Sequence, residues 1–193
     1  TELFVALTAA YAEPQRIYHN IAHLKDCLAQ FDLARASASE PDEVEMALWF
    51  HDAIYDAHAA DNEEKSAAWA VQALTQGDIS FTIAQQIAEL VLSTKHQAPP
   101  QGRDAQLMVD VDLSILGRAP TVFAEYDRQI RLEYQWVPEK QFCERRIQVL
   151  TSFLRRPAIY QTEHFCLRYE AQARQNLTCA IDRWSTQLAA GQF

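Results

Sequence analysis

The chain has 193 residues, and the apolar share of 49% marks it as a folded globular protein rather than a disordered one. A formal net charge of −9 argues against general nucleic-acid binding. No apolar run approaches the roughly 20 residues that span a bilayer, so no membrane partner is expected. Cys27, Cys143, Cys166 and Cys179 are scattered without a C-x-x-C pair, which suits free thiols in a reducing cytoplasm. The amino end, "TELFVALTAAYAEPQR", shows neither a basic n-region nor a small-residue cleavage site, and no signal peptide is expected from it.

Apolar residues recur at helical spacing almost throughout, and alternating period-two runs are absent. The pattern predicts one all-α domain over 1–193, built of eight or nine helices. Pro14 precedes a helix whose stripe is Leu24, Leu28 and Phe31, with His19 and His23 four apart on one face. "SASEPDEVE" starts the next, with Ser39 as N-cap, Pro41 in the first turn and acids favoured by the helix dipole. This helix is expected to run through "LWFHDAIYD" (48–56), and "HAADNEE" ends it and opens another. Ile83, Ile87, Leu90, Val91 and Thr94 stripe a helix over 82–96, closed by the loop "QAPPQGRD" (97–104). "VDVDLSILG" (109–117) is a further apolar helix, stopped at "LGRAP" (116–120). Beyond it, Phe142, Val149, Leu150, Phe153 and Leu154 form one stripe, and Ala173, Leu177, Ile181, Trp184 and Leu188 form the last.

Charge is unevenly spread. Residues 1–100 hold 5 basic and 15 acidic side chains, while residues 101–193 hold 12 basic and 11 acidic, and 11 of those 12 are arginine. The planar guanidinium fork suits carboxylates and phosphates. Arg128, Arg131, Arg145 and Arg146 are therefore candidate phosphate clamps, Arg131 in "IRLEY" first among them. The simpler reading for each is ion pairing with Glu133, Glu144 or the acidic first half.

Asp52 sits among Trp49, Phe50, Ile54 and Tyr55, and burying an uncompensated carboxylate costs several kcal/mol. A cation would compensate it, and a cation needs more ligands. His23, His51, Asp52 and one of Asp110 or Asp112 supply them, because residues two apart on a helix diverge by about 200°. Each residue alone has a plain structural reading, since a histidine on an apolar helix is usually a satisfied core residue. The order His, His-Asp, Asp, each in an apolar helix, is what raises the metal reading. Imidazole with carboxylate suits one divalent ion, with Mn, Mg, Fe, Co, Ni and Zn not distinguished. Helix neighbours splay by about 100°, so His51 and Asp52 must converge through their side chains.

His23, His51-Asp52 and Asp112 resemble the H…HD…D signature of the HD-domain superfamily of metal-dependent phosphohydrolases. "YHNIAHLKDCL" is also similar to the first metal-binding motif of cyclic-nucleotide phosphodiesterases, where the second histidine binds metal and the first acts as an acid. "DLSIL" looks like the phosphodiesterase segment carrying the last aspartate ligand, which favours Asp112 over Asp110. The likeness extends over residues 16–177 to a bacterial branch of predicted HD phosphohydrolases with no settled substrate. It rests on "RIYHN", "WFHDAIYD", "NEEKSA", "DVDLSILG", "IRLEY" and "EAQARQNL". The richer histidine sets of the phosphodiesterase, HD-GYP and di-iron oxygenase branches are missing, with only His58 and His96 between HD and Asp112. A mononuclear site is therefore expected.

What the resemblance implies is hydrolysis of a phosphomonoester or phosphoanhydride of a small phosphorylated molecule such as a nucleotide, with a homodimer as the habit of the superfamily. Asp56, four residues after Asp52, matches the final acid of the HD-x-x-E-D pattern in hydrolases of guanosine tetraphosphate, although Tyr55 replaces the penultimate acid. Its plain reading is a solvated acid at a helix end. Glu63 could reach a metal water, and Glu64 reads as part of an acidic first turn capped by Asn62. His19 is a candidate proton donor or a residue supporting the ligands. Lys95 and His96 suit phosphate contact at a helix C-terminus, where the dipole alone also favours cations. Tyr18, Trp49 and Trp136 could stack a base, though core packing explains them more simply, and His164 reads as structural. Two rivals stand beside the hydrolase: an oxygenase or lyase on the same fold, and a catalytically silent nucleotide-binding module.

Overall fold

In a computed structural model, residues 2–191 are described, and they form nine α-helices and two short 3₁₀ segments with no strand among them. The protein is all-α. No described helix is long and apolar enough to cross a membrane. The helices gather into two compact units, one ending at Asp112 and the other beginning at Leu113.

The first unit holds α1 (Glu2–Ala10), α2 (Ile21–Ala34), α3 (Pro41–Phe50), α4 (Asn62–Gln76), α5 (Phe81–Ser93) and α6 (Arg103–Asp112). Helix α3 is central and packs on α2, α4, α5 and α6, while α2 and α6 also touch each other. Their shared core includes Leu24, Phe31, Leu48, Phe50, Ile87, Leu107 and Met108, all buried. Removing such apolar surface from water is the main drive for their association.

Several helix ends differ from the expectations set by sequence. Helix α2 begins at Ile21, because the Asn20 side chain caps it by accepting the Ala22 N–H at 2.8 Å. His19 therefore lies just before the helix and not on its face with His23. The N-cap of helix α3 is Glu40 and not Ser39, and Asp104 anchors the chain entering the helix by accepting the Ser39 and Glu40 N–H groups at 2.6 and 3.0 Å. The same helix stops at Phe50, so the Asp52–Asp56 helical relation expected from sequence is absent. Helix α5 ends at Ser93, which leaves Lys95 and His96 beyond it.

The second unit opens with a 3₁₀ segment, Leu113–Gly117, followed by α7 (Pro120–Glu133), α8 (Glu139–Leu154) and the 28-residue α9 (Glu163–Ala190). Gly117 is packed so closely on α9 that an added Cβ would lie 2.4 Å from the Tyr169 Cβ. Only glycine fits there. Asn176 locks the same junction, donating to the Leu116 and Arg118 carbonyls at 2.8 Å each. The arginines of this unit are mostly structural. Arg146 and Arg183 pair with the buried Asp127, Arg128 pairs with Glu125, and Arg174 donates to the Leu154, Arg156 and Pro157 carbonyls. Trp136, expected to be core, is half exposed beside Tyr134, and His164 packs on Phe165.

Candidate metal centre

Three elements of the first unit send polar side chains to one point. Helix α2 supplies His23 and Cys27, the turn after α3 supplies His51 and Asp52, and the last residue of α6 is Asp112. His23 Nε2 lies 3.1 Å from His51 Nε2 and 3.4 Å from both Asp52 Oδ2 and Asp112 Oδ1. His51 Nε2 is 3.2 Å from Asp52 Oδ2 and 3.8 Å from Asp112 Oδ1. Because Asp112 turns an oxygen to this point and ends its helix there, it is the aspartate of the pair at the cluster. Asp110, two residues earlier, is fully buried on α6.

The chemistry of the donors fits a cation. His51 Nδ1 donates to the Leu48 carbonyl at 2.8 Å, since that oxygen can only accept. This fixes the neutral tautomer with its Nε2 lone pair facing the cluster, as a metal-binding imidazole requires. Two imidazole nitrogens at 3.1 Å with carboxylate oxygens around them repel unless a proton or a metal lies between. The buried cluster of His23, Cys27, His51 and Asp112 places four ligand atoms within 4.8 Å of one another and could hold a metal ion. The His51 side chain is 1% exposed, whereas those of Asp52 and Asp112 are 16% exposed, so the carboxylate side is where a ligand can approach.

The same contacts shift the proton affinities of the four groups. Burial pulls the His23 pKa down, but Cys27, Tyr18 and the Asp112 and Asp52 carboxylates more than reverse this, and it stands well above the ordinary value. Burial acts likewise on His51, and Asp52 and Tyr11 outweigh it, with the same net rise. For Asp52, burial alone would raise the pKa, but His51, His19 and His23 hold it well below the carboxylate range. Asp112 is also held far down, against its burial, by hydrogen bonds from His23 and His96.

The turn that presents His51 and Asp52 is held by residues sequence reasoning missed. Arg16 donates to the Asp52 and Ala53 carbonyls at 2.5 and 2.9 Å and to the His19 carbonyl at 3.3 Å. The Asp52 N–H donates to the Tyr11 hydroxyl at 3.2 Å, and burial pushes that phenol up to about 12. Ser66 clamps Ile54 through both its N–H and its carbonyl. These bonds hold the turn at the end of α3, where His51 keeps helical dihedrals and the His51 and Asp52 side chains meet at 3.2 Å. Cys27 was also missed, although its spacing from His23 is the same four residues that had singled out His19.

The remaining candidates are distributed around the cluster. His19 stacks on Tyr55 with ring centroids 4.2 Å apart and lies 5.9 Å from the His23 ring. His96, with a left-handed φ of 56°, turns its Nε2 to Asp112 Oδ2 at 3.0 Å. Asp56 does not join: exposed, it accepts from the His58 N–H and faces the His58 Nδ1 at 3.0 Å. Glu63 and Glu64 occupy the first turn of α4, and Glu64 is ion-paired with Lys95. Arg131, in the second unit, donates to the Tyr134 carbonyl at 2.8 Å and covers the Phe142 ring. A cavity of about 590 Å³ is bordered by Glu43, Glu89, Lys95, Arg103 and Asp104, but by none of the cluster residues. The facing titratable groups, rather than this hollow, mark the site. No family model, curated protein or solved structure matches the chain.

Proposed function

We propose that the protein is a metal-dependent phosphohydrolase acting on a phosphomonoester or phosphoanhydride of a small molecule such as a nucleotide. The observation that carries it is the convergence of His23, His51, Asp52 and Asp112, with His51 locked by Leu48 in the ligating tautomer. The order of these residues, resembling the H…HD…D pattern, supports the same reading. A divalent ion held there supplies Lewis-acid polarisation of a phosphoryl group and lowers the pKa of water toward neutrality.

The chain's own residues serve the rest. His19, held beside the cluster by Tyr55, is the proton donor for a leaving oxygen. His96 orients Asp112 from the side opposite His23 and His51. Lys95, partly exposed next to His96, meets the phosphate once it exchanges Glu64 for that anion. Asp56 has no part in the proposal, because its carboxylate is committed to His58.

The test is metal analysis followed by phosphate release from a panel of nucleotides and sugar phosphates with manganese, cobalt and zinc. The native protein is expected to hold about one ion per chain, as a single cluster of this kind does, and to release phosphate. Asp52→Ala should lose both while keeping its helical circular dichroism. Metal binding without turnover on any substrate would remove the hydrolase reading and leave a binding module.

A further inference from the structure

Cys27 follows His23 by one helical turn on α2, so both side chains leave the same face. The residue is 2% exposed, and its sulfur lies 3.7 Å from Nδ1 and from Nε2 of His23. In a tetrahedral site with metal–N and metal–O bonds near 2.1 Å and metal–S near 2.3 Å, donor separations are about 3.4 Å for N/O pairs and about 3.6 Å for N–S pairs. The separations of 3.1, 3.4 and 3.8 Å among His23, His51 and Asp112 match that figure within a few tenths of an ångström, and the sulfur, equidistant from the two His23 nitrogens, falls within 4.8 Å of one donor atom of each of these groups. An inert core cysteine needs apolar neighbours, whereas this one shares its pocket with two imidazoles and a carboxylate.

We propose that Cys27 is a thiolate ligand of the centre, which makes the site one for a thiophilic first-row ion, zinc, iron(II) or cobalt(II), rather than magnesium. The proposal rests on the cluster being a metal site and is independent of what reaction occurs there. Hard magnesium and calcium take oxygen donors and reject thiolate, while borderline ions accept sulfur, imidazole and carboxylate together. Asp52, whose Oδ2 is 3.4 Å from His23 Nε2 and 3.2 Å from His51 Nε2, is then a fifth donor. Two carboxylates and a thiolate around a divalent ion leave one negative charge on the centre.

The full chain, stripped with chelator, is titrated with cobalt(II) and followed by absorption. The expected result is visible d–d bands together with a near-ultraviolet thiolate-to-cobalt band. Cys27→Ser should keep the d–d bands, lose the near-ultraviolet band and bind cobalt and zinc about 10- to 100-fold more weakly. Cys179→Ser, at an exposed cysteine, should change nothing. Zinc-edge X-ray absorption of the unmutated protein reads the same ligand without relying on a variant that folds, and should show one sulfur at about 2.3 Å. Visible bands with no sulfur signal in either measurement would overturn the role of Cys27 and leave the metal site standing. No cobalt or zinc binding at all would overturn both. A sulfur signal with no phosphate release would uphold the ligand and remove only the hydrolase.

Discussion

The guanidinium of Arg16 is buried, yet it neutralises no carboxylate of the cluster and instead donates to the Asp52 and Ala53 carbonyls beyond the end of α3. Arg16→Met keeps the apolar stem and leaves both carbonyls without that donor. The metal-free protein should lose about 2–4 kcal/mol in denaturant titration. Zinc affinity should fall about 10- to 100-fold, because the turn presenting His51 and Asp52 is no longer held. Proton linkage at the ligands gives a second expectation. His23 and His51 have raised pKa values in the metal-free fold, so their protonated contacts stabilise it below the ordinary histidine range and fade as pH rises through the raised values. Asp52 and Asp112 have lowered values, so their contribution is present above the ordinary carboxylate range and fades only as pH falls through the lowered ones. A metal must displace the imidazole protons but none from the carboxylates. Binding at neutral pH should release up to about two protons from the imidazoles, with one more from the Cys27 thiol as it becomes a thiolate ligand, and should tighten as pH rises. Calorimetry in buffers of different protonation enthalpy measures that number, and zero release would mean that the imidazoles are not ligands.

At the scale of the element, helix ends rather than helix bodies decide what the site looks like. The chain entering helix α3 is anchored by Asp104 on α6 through the Ser39 and Glu40 N–H groups, and the Ser39 side chain is not its cap. Asp104→Ala should cost about 1 kcal/mol. Ser39→Ala should stay within about 0.5 kcal/mol, and the two denaturation midpoints compared side by side test the assignment. At its other end α3 stops one residue before the His-Asp pair, and Arg16, Tyr11 and Ser66 receive the chain. His96 shows the same logic. Leaving α5, it adopts a left-handed conformation that histidine tolerates better than most residues, and this swings its ring to Asp112.

Across the whole molecule, each compact unit has its own polar anchor. The first unit centres on the cluster of His23, Cys27, His51 and Asp112, and the second on Asp127, fully buried, which receives Arg146 Nε at 2.7 Å, Trp184 Nε1 at 2.8 Å and the Arg183 guanidinium. Asp127→Ala leaves the Arg146 charge buried without its counter-ion and should cost about 3–5 kcal/mol in denaturant unfolding. A cost under about 1 kcal/mol would mean that water replaces the carboxylate. Of the arginines in residues 101–193, Arg128, Arg146, Arg174 and Arg183 pair with Glu125, Asp127 and Glu170, and Arg131 and Arg174 donate to carbonyls. For Arg128 and Arg146, two of the candidate phosphate clamps, that is the ion-pair reading, with Glu125 and Asp127 as the partners.

The all-α class was legible in the residues because helical spacing and the Pro and Gly stops are local signals, read within a turn or two. Four charged or imidazole side chains inside apolar stretches, His23, His51, Asp52 and Asp112, stood out for the same reason, since a buried carboxylate needs compensation wherever it lies. Tertiary structure decided the rest. No local signal says that Asp104 anchors the entry to α3 from sixty-odd residues away, that Arg16 receives the chain at its other end, or that Asp56 leaves the helix and turns to His58. Cys27 joins the cluster because α2 packs on both α3 and α6, which turns the face shared with His23 inward. Its sequence spacing permitted that place, but only the packing of three helices chose it, because a ligand set is a property of which faces meet.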